Sequence, residues 1–232
     1  MNFTRIITAI DTHTEGNPER VVTGGIPPIP GKTMLEKSKY VRDHLDHLRT
    51  LLVDEPRGHN NMYAALLVPP AVETADMGVL YLEPGGYATM CGHGTIGICT
   101  VLVETGIIEA REPETEIVLD TPAGLVEARV AVKNGKAESV AIRNVPSFLY
   151  KADIELDVPG VGHVRLDIAC GGNFYAILRQ THSGNEDRRI SGGGSNHSGQ
   201  CLYYRDPPVC CRRQGPVSRW LSSWENRETL WF

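Results

Sequence analysis

The chain has 232 residues, of which 41% are hydrophobic and 22% charged, and a formal net charge of −5 at pH 7. These are the proportions of a globular protein long enough to bury a core, either as one large domain or as two small ones. The acidic balance offers no electrostatic reason for a nucleic-acid partner, and no run of about 18 apolar residues is present to span a membrane.

In chain order, Met1-Asn2-Phe3-Thr4-Arg5 leads straight into strand-like sequence. It lacks a signal peptide's apolar segment, so a cytoplasmic, reducing compartment is expected. Arg5 to Asp11 reads as a strand, and the next regular segment is a helix from about Met34 to Val53. There Thr33 and Glu36 make a capping box, Val41, Leu45 and Leu48 form an apolar stripe, and Pro56 lies just beyond. Strands are expected at Met62 to Val68 and Met77 to Glu83, then a helix from Gly92 or His93 that ends at Gly106. Further strands are expected at Glu116 to Asp120, Gly124 to Lys133, Lys136 to Val145 and His163 to Ala169. Asn134-Gly135 between two of these tolerates the positive φ angles of a tight hairpin. After Arg179 the pattern fails: residues 181–200 have no apolar period, and the three tryptophans Trp220, Trp224 and Trp231 lie close to the end. A divergent, poorly ordered tail over 180–232 is expected.

Three cysteines, Cys91, Cys99 and Cys170, are widely spaced and form neither a CxxC pair nor a zinc pattern. The triplet His13-Thr14-Glu15 has the H-x-E spacing of zinc deaminases, but the accompanying P-C-x-x-C is missing, so no metal is expected. Cys91 stands out because it enters a helix within Met90-Cys91-Gly92-His93-Gly94-Thr95-Ile96-Gly97. A thiol there feels the positive end of the helix, which lowers its pKa and lets it act as a base. The competing reading is a buried small hydrophobe. Gly92, Gly94 and Gly97 let a ligand approach the backbone, and successive N–H groups suit a carboxylate. A carboxylate held there places its α-carbon near the sulfur, a geometry for removing an α-proton. His93 is open to three readings: a ligand contact, a base partner for the thiol, or a solvated polar residue of the first turn. Arg57-Gly58-His59 either anchors a loop or faces a cleft, and Cys170-Gly171-Gly172 reads as a structural turn.

Several stretches, taken together and in order, resemble the proline racemase family, which includes proline racemases, 4-hydroxyproline epimerases and trans-3-hydroxyproline dehydratases. They are Asp11 to Pro18, Pro28 to Met34, Glu55-Pro56-Arg57-Gly58-His59, Met90 to Gly97, Asn144 to Tyr150 and Gly171 to Tyr175. The resemblance covers roughly the first 180 residues. It implies an α/β (α+β) fold like that of diaminopimelate epimerase, with two domains that each wrap strands around a central helix. Residues 1–153 would be the first domain, 154–179 the start of an incomplete second one.

The resemblance further implies catalysis without PLP, metal or nucleotide, a small-molecule substrate (proline or hydroxyproline) and a homodimer. It makes Cys91 the catalytic α-proton acceptor, and Gly92 and His93 contacts of the substrate carboxylate and its neighbours. The family's second motif, an Asp-Arg-Ser-Pro-Cys-Gly-Thr-Gly-Thr-like segment, does not occur in this sequence. The leading expectation is therefore a cofactor-independent racemase or epimerase. The alternatives are a trans-3-hydroxy-L-proline dehydratase and an inactive truncated or frame-shifted product.

Overall fold

The computed structural model describes residues 5–179, 200–201 and 230–231. They form two compact units, 5–145 with 230–231, and 146–179 with 200–201. The first unit opens with β1 (Thr8–Thr14) and β2 (Asn17–Gly24), an antiparallel hairpin turning on Glu15 and Gly16 at φ of 49° and 90°. Two successive positive φ angles match the twist of the flanking strands. No strand is expected from sequence at β2, because Asn17-Pro18-Glu19 are poor strand formers. The β-branched run Val21-Val22-Thr23 and its half-buried position carry it.

The single helix expected from Met34 to Val53 is two helices, α1 (Met34–His44) and α2 (Asp46–Val53). Leu45 leaves the helical region at φ −129° and ψ 18°, and its side chain packs into an apolar cluster with Val41, Leu52 and Val53. The break puts Asp46 in the first turn of α2, where its carboxylate takes Arg49 at 2.8 Å and the Tyr87 hydroxyl at 2.7 Å. At the α1 start the Thr33 hydroxyl accepts from the Glu36 N–H at 3.1 Å. The Glu36 carboxylate reaches the Lys32 N–H at 2.7 Å, one residue before the expected one.

The unit continues with β3 (Tyr63–Val68), β4 (Met77–Glu83), β5 (Gly86–Ala88), α3 (Gly92–Glu104), β6 (Glu114–Thr121), β7 (Gly124–Lys133) and β8 (Lys136–Arg143). Their sheet runs in the order β1-β2-β3-β4-β6-β7-β8, with β5 beside β4. The pairs β2–β3 and β4–β6 are parallel and the others antiparallel. Helix α3 touches β1 and β2 at one end of this order and β7 and β8 at the other, so the sheet curls around it.

Alternation along the strands makes two cores. Val21, Ala65, Val79 and Tyr81 face α3 with Ile98, Cys99 and Leu102, whereas Val22, Leu66, Leu80 and Leu82 face α1 and α2. Gly106, at φ 72°, follows the α3 cap residue Thr105 as the expected helix stop. Asn134 and Gly135, at φ 53° and 72°, close the β7–β8 hairpin as expected.

The second unit is an antiparallel sheet in the order β12-β11-β10-β9, made of β9 (Phe148–Val158), β10 (Gly162–Cys170), β11 (Phe174–Arg179) and the short β12 (Gln200–Cys201). β9 continues past residue 153, where Asp153 stands at φ 53° and the register with β10 shifts. Phe148 and Tyr150 each lie nearly perpendicular to Phe174 at centroid distances of 6.2 and 5.4 Å, and all three rings are exposed. The last described strand, β13 (Leu230–Trp231), pairs antiparallel with β8 of the first unit. Apart from β12 and β13, the divergent tail expected over 180–232 lies outside the described residues.

Candidate active site at the start of the central helix

Cys91 is the N-cap of α3, extended at φ −138° and ψ 117°, and makes no side-chain capping bond. Its carbonyl accepts the Thr95 N–H at 2.9 Å and the Thr95 hydroxyl at 2.7 Å. Having donated its proton there, Thr95 accepts from the buried Tyr81 hydroxyl at 2.7 Å. This chain ties the cap residue to the middle of β4.

The sulfur lies 3.3 Å from His93 Nδ1. The His93 ring meets Tyr63 edge-on at a centroid distance of 4.7 Å, and the His93 carbonyl accepts from the Thr14 hydroxyl at 3.0 Å. Burial lowers the His93 pKa, so the imidazole is neutral around pH 7 and either ring nitrogen can accept a proton. Gly92 is exposed, with open space where a Cβ would stand. The first-turn N–H groups of Gly92, His93 and Gly94 have no intrahelical acceptor, which is the donor set a carboxylate needs.

The thiol differs from the expectation of a lowered pKa. Burial pushes the Cys91 thiol well above its usual range, and the Glu19 carboxylate adds to this; the Gly94 N–H pulls in the other direction and is outweighed. A helix end adds only a fraction of a charge, whereas removing a thiolate from water costs several kcal/mol by order of magnitude. Cys91 is therefore a neutral thiol around pH 7. Cys99, about two turns further along α3, is pushed up to about 12 by burial alone.

Glu19 was not legible as a site residue. On β2 it shares the α3-facing side with Val21, while Arg20 points to the opposite face and pairs with Asp11 through two 2.8 Å contacts. Glu19 is 1% exposed, and burial raises its pKa to about 8. The alternation of Glu19 with Val21 was the available signal, since a charge at a core-facing strand position is costly without a purpose.

Among the remaining motifs, the Arg57 carbonyl accepts from Arg20 at 2.8 Å, and a Cβ on Gly58 would collide with the Val53 carbonyl. That loop is anchored by its backbone. Asp11 of the Asp11–Gly16 motif serves the Arg20 ion pair, and Gly171 to Asn173 form the turn from β10 to β11.

Residues 9–189 match the family model described as proline racemase. The chain belongs to the proline racemase family. It is 56% identical over 178 residues to a 4-hydroxyproline 2-epimerase from Streptosporangium roseum, covering 77% of this chain and 54% of that one. It is 44% identical over 178 residues to a trans-3-hydroxy-L-proline dehydratase from Bacillus cereus, covering 77% and 53%. A crystal structure of a hydroxyproline epimerase from Agrobacterium vitis with bound trans-4-hydroxy-L-proline superimposes with a TM-score of 0.70 at 36% identity, covering 76% of this chain and 52% of that one. This similarity agrees with a curled mixed α/β unit around a central helix. The chain spans about half the length of the curated relatives it matches.

Proposed function

We propose that Cys91 transfers the α-proton of proline or a hydroxyproline in a cofactor-independent racemase or epimerase reaction. The observation that carries this reading is the position of its sulfur, at the N-cap of α3 and 3.3 Å from a neutral imidazole. In the proposed complex the substrate carboxylate sits on the first-turn N–H groups, with Gly92 leaving room for it and His93 beside the ring. The cationic ring nitrogen then brings a positive charge close to the sulfur. That charge offsets the cost of burial and allows the thiol to ionise, its proton passing to His93 or solvent. A thiolate with a high proton affinity suits a weak carbon acid better than a weakly basic one.

In the transfer step the C–H bond breaks, an S–H bond forms, and the electron pair spreads from the α-carbon into the carboxylate. The N–H donors stabilise the charge that develops on those oxygens. Racemisation or epimerisation ends with a proton delivered to the opposite face by a second acid. Dehydration instead ends with loss of a 3-hydroxyl, and the 44% identity to a dehydratase keeps that outcome within the proposal.

The expected behaviour is that L-proline or trans-4-hydroxy-L-proline slows alkylation of Cys91 by iodoacetamide, read by mass spectrometry of the Cys91 peptide, while acyclic amino acids do not. Equal alkylation with and without every ring substrate would overturn the reading. Product analysis with trans-3-hydroxy-L-proline separates the two endings, since a dehydrated ring indicates loss of the hydroxyl and an inverted α-carbon indicates epimerisation.

A further inference from the structure

Among the described residues, the buried side-chain oxygens and nitrogens without a hydrogen-bond partner are Thr12 Oγ1 and both carboxyl oxygens of Glu19. All three lie in one place. Thr12 and Glu19 are opposed across β1 and β2, and Glu19 is in register with Tyr63 on β3, so the row runs beneath the first turns of α3.

The helix face they meet is bare. A Cβ on Gly94 would run into Glu19 Oε2 and lie 2.7 Å from Oε1, and one on Gly97 would lie 2.6 Å from Thr12 Oγ1. Thus the carboxyl occupies the space where a side chain at position 94 would be. Gly94 is also the residue whose N–H favours the Cys91 thiolate.

We infer that Glu19 is a positioning residue for Cys91: lodged against Gly94, it holds the first turn of α3 while protonated, and on losing its proton it suppresses formation of the Cys91 thiolate. The inference rests on the reading of Cys91 as the proton-transfer group.

Its physical basis is that, among the described residues, neither Glu19 carboxyl oxygen has a hydrogen-bond partner and no ion pair offsets a carboxylate there. The titratable groups that act within this cluster are Tyr81 and Glu83 on β4 and Cys91 and Cys99 on α3, each neutral or negative at every pH. His93 on α3 contacts Cys91, and burial keeps its ring neutral. Two negative charges beneath one helix end disfavour each other strongly at low local dielectric. Burial holds Glu19 protonated up to about pH 8, so the carboxylate is excluded in the range where the thiol must ionise. Ionisation of the two groups is then anticooperative, and each appears to the other as a pH-dependent brake.

The test reads the thiol without substrate: alkylation of Cys91 as a function of pH, followed at its own peptide, in the wild type and in Glu19→Gln. At pH 6, where both side chains are uncharged, the two rates agree within about twofold. At pH 9 the variant reacts about fivefold faster, the factor expected if the carboxylate, ionised in about nine-tenths of the molecules, moves the thiol by roughly one pK unit. A rate ratio that stays constant from pH 6 to pH 9 would overturn the inference, because a purely structural role perturbs the rate equally at both.

Glu19→Met carries no charge and a similar volume and gives the same rising ratio. The wild type alone supplies a measurement independent of either variant folding. Its logarithmic rate plot bends near pH 8 under the inference and is a straight line of unit slope without it. Substrate protection of Cys91 is a separate readout, so loss of the Glu19 effect leaves the assignment of Cys91 standing.

Discussion

At the level of single residues, burial and charge decide the chemistry more than motif does. The glycine-rich setting of Cys91 marked it as a residue entering a helix, and it is the α3 cap. Its protonation state was not legible, because the burial that controls it comes from strands distant in sequence and from Glu19. The same burial has a consequence for stability. Glu19 titrates at about 8 in the folded chain but near 4.3 when unfolded, so between those values the folded state holds one more proton. Stability from this residue is therefore complete below about pH 4.3 and is lost as pH rises toward 8. Glu19→Gln removes that slope. Urea unfolding at pH 5 and pH 8 is expected to show the variant gaining on the wild type by on the order of 3 kcal/mol between the two conditions. Parallel pH dependence in the two proteins would mean that Glu19 titrates normally.

At the level of elements, the strongly patterned segments were legible and those set by tertiary contacts were not. The β7–β8 hairpin followed from strict alternation around Asn134-Gly135. The start and stop of α3 followed from Gly92 and Gly106. By contrast β2, β9 and β11 were not expected as strands: β2 opens with Asn17-Pro18, and most of β9 is exposed on both sides, which removes the period-2 signal. The break at Leu45 was equally hidden, since the apolar stripe continues through it and only the Asp46 contacts with Arg49 and Tyr87 distinguish the second helix. The close approach of α3 to β2 leads to a further expectation. Gly94→Ala forces a methyl group into the Glu19 carboxyl and destabilises the fold by about 1–3 kcal/mol, the usual range for overpacking. Combining it with Glu19→Ala, which vacates the space, recovers part of that loss; thermal unfolding of the two single variants and the pair measures the coupling. Strict additivity would contradict the contact.

At the level of the whole molecule, the first unit combines a curled sheet, a central helix cradled in it, and N–H donors and a thiol at the helix start. The sequence resemblance and the match over residues 9–189 agree on the family, and the described residues of that unit have the expected strands around a central helix. Which ring substrate the proposed site would take, and which ending would follow, depends on side chains that neither motif spacing nor a helix N-terminus specifies. The relatives span both outcomes, epimerase and dehydratase. In the proposed reaction either ending follows removal of the α-proton, the step that Cys91 is proposed to perform. The most direct measurement is therefore incorporation of deuterium from solvent at the α-carbon of L-proline, trans-4-hydroxy-L-proline and trans-3-hydroxy-L-proline, with the wild type beside Cys91→Ser. The account predicts incorporation or turnover for at least one of these in the wild type and a loss of at least about 100-fold in the variant, the lower end for removing a general base. Exchange that survives Cys91→Ser undiminished, or no exchange with any of the three in the wild type, would contradict it.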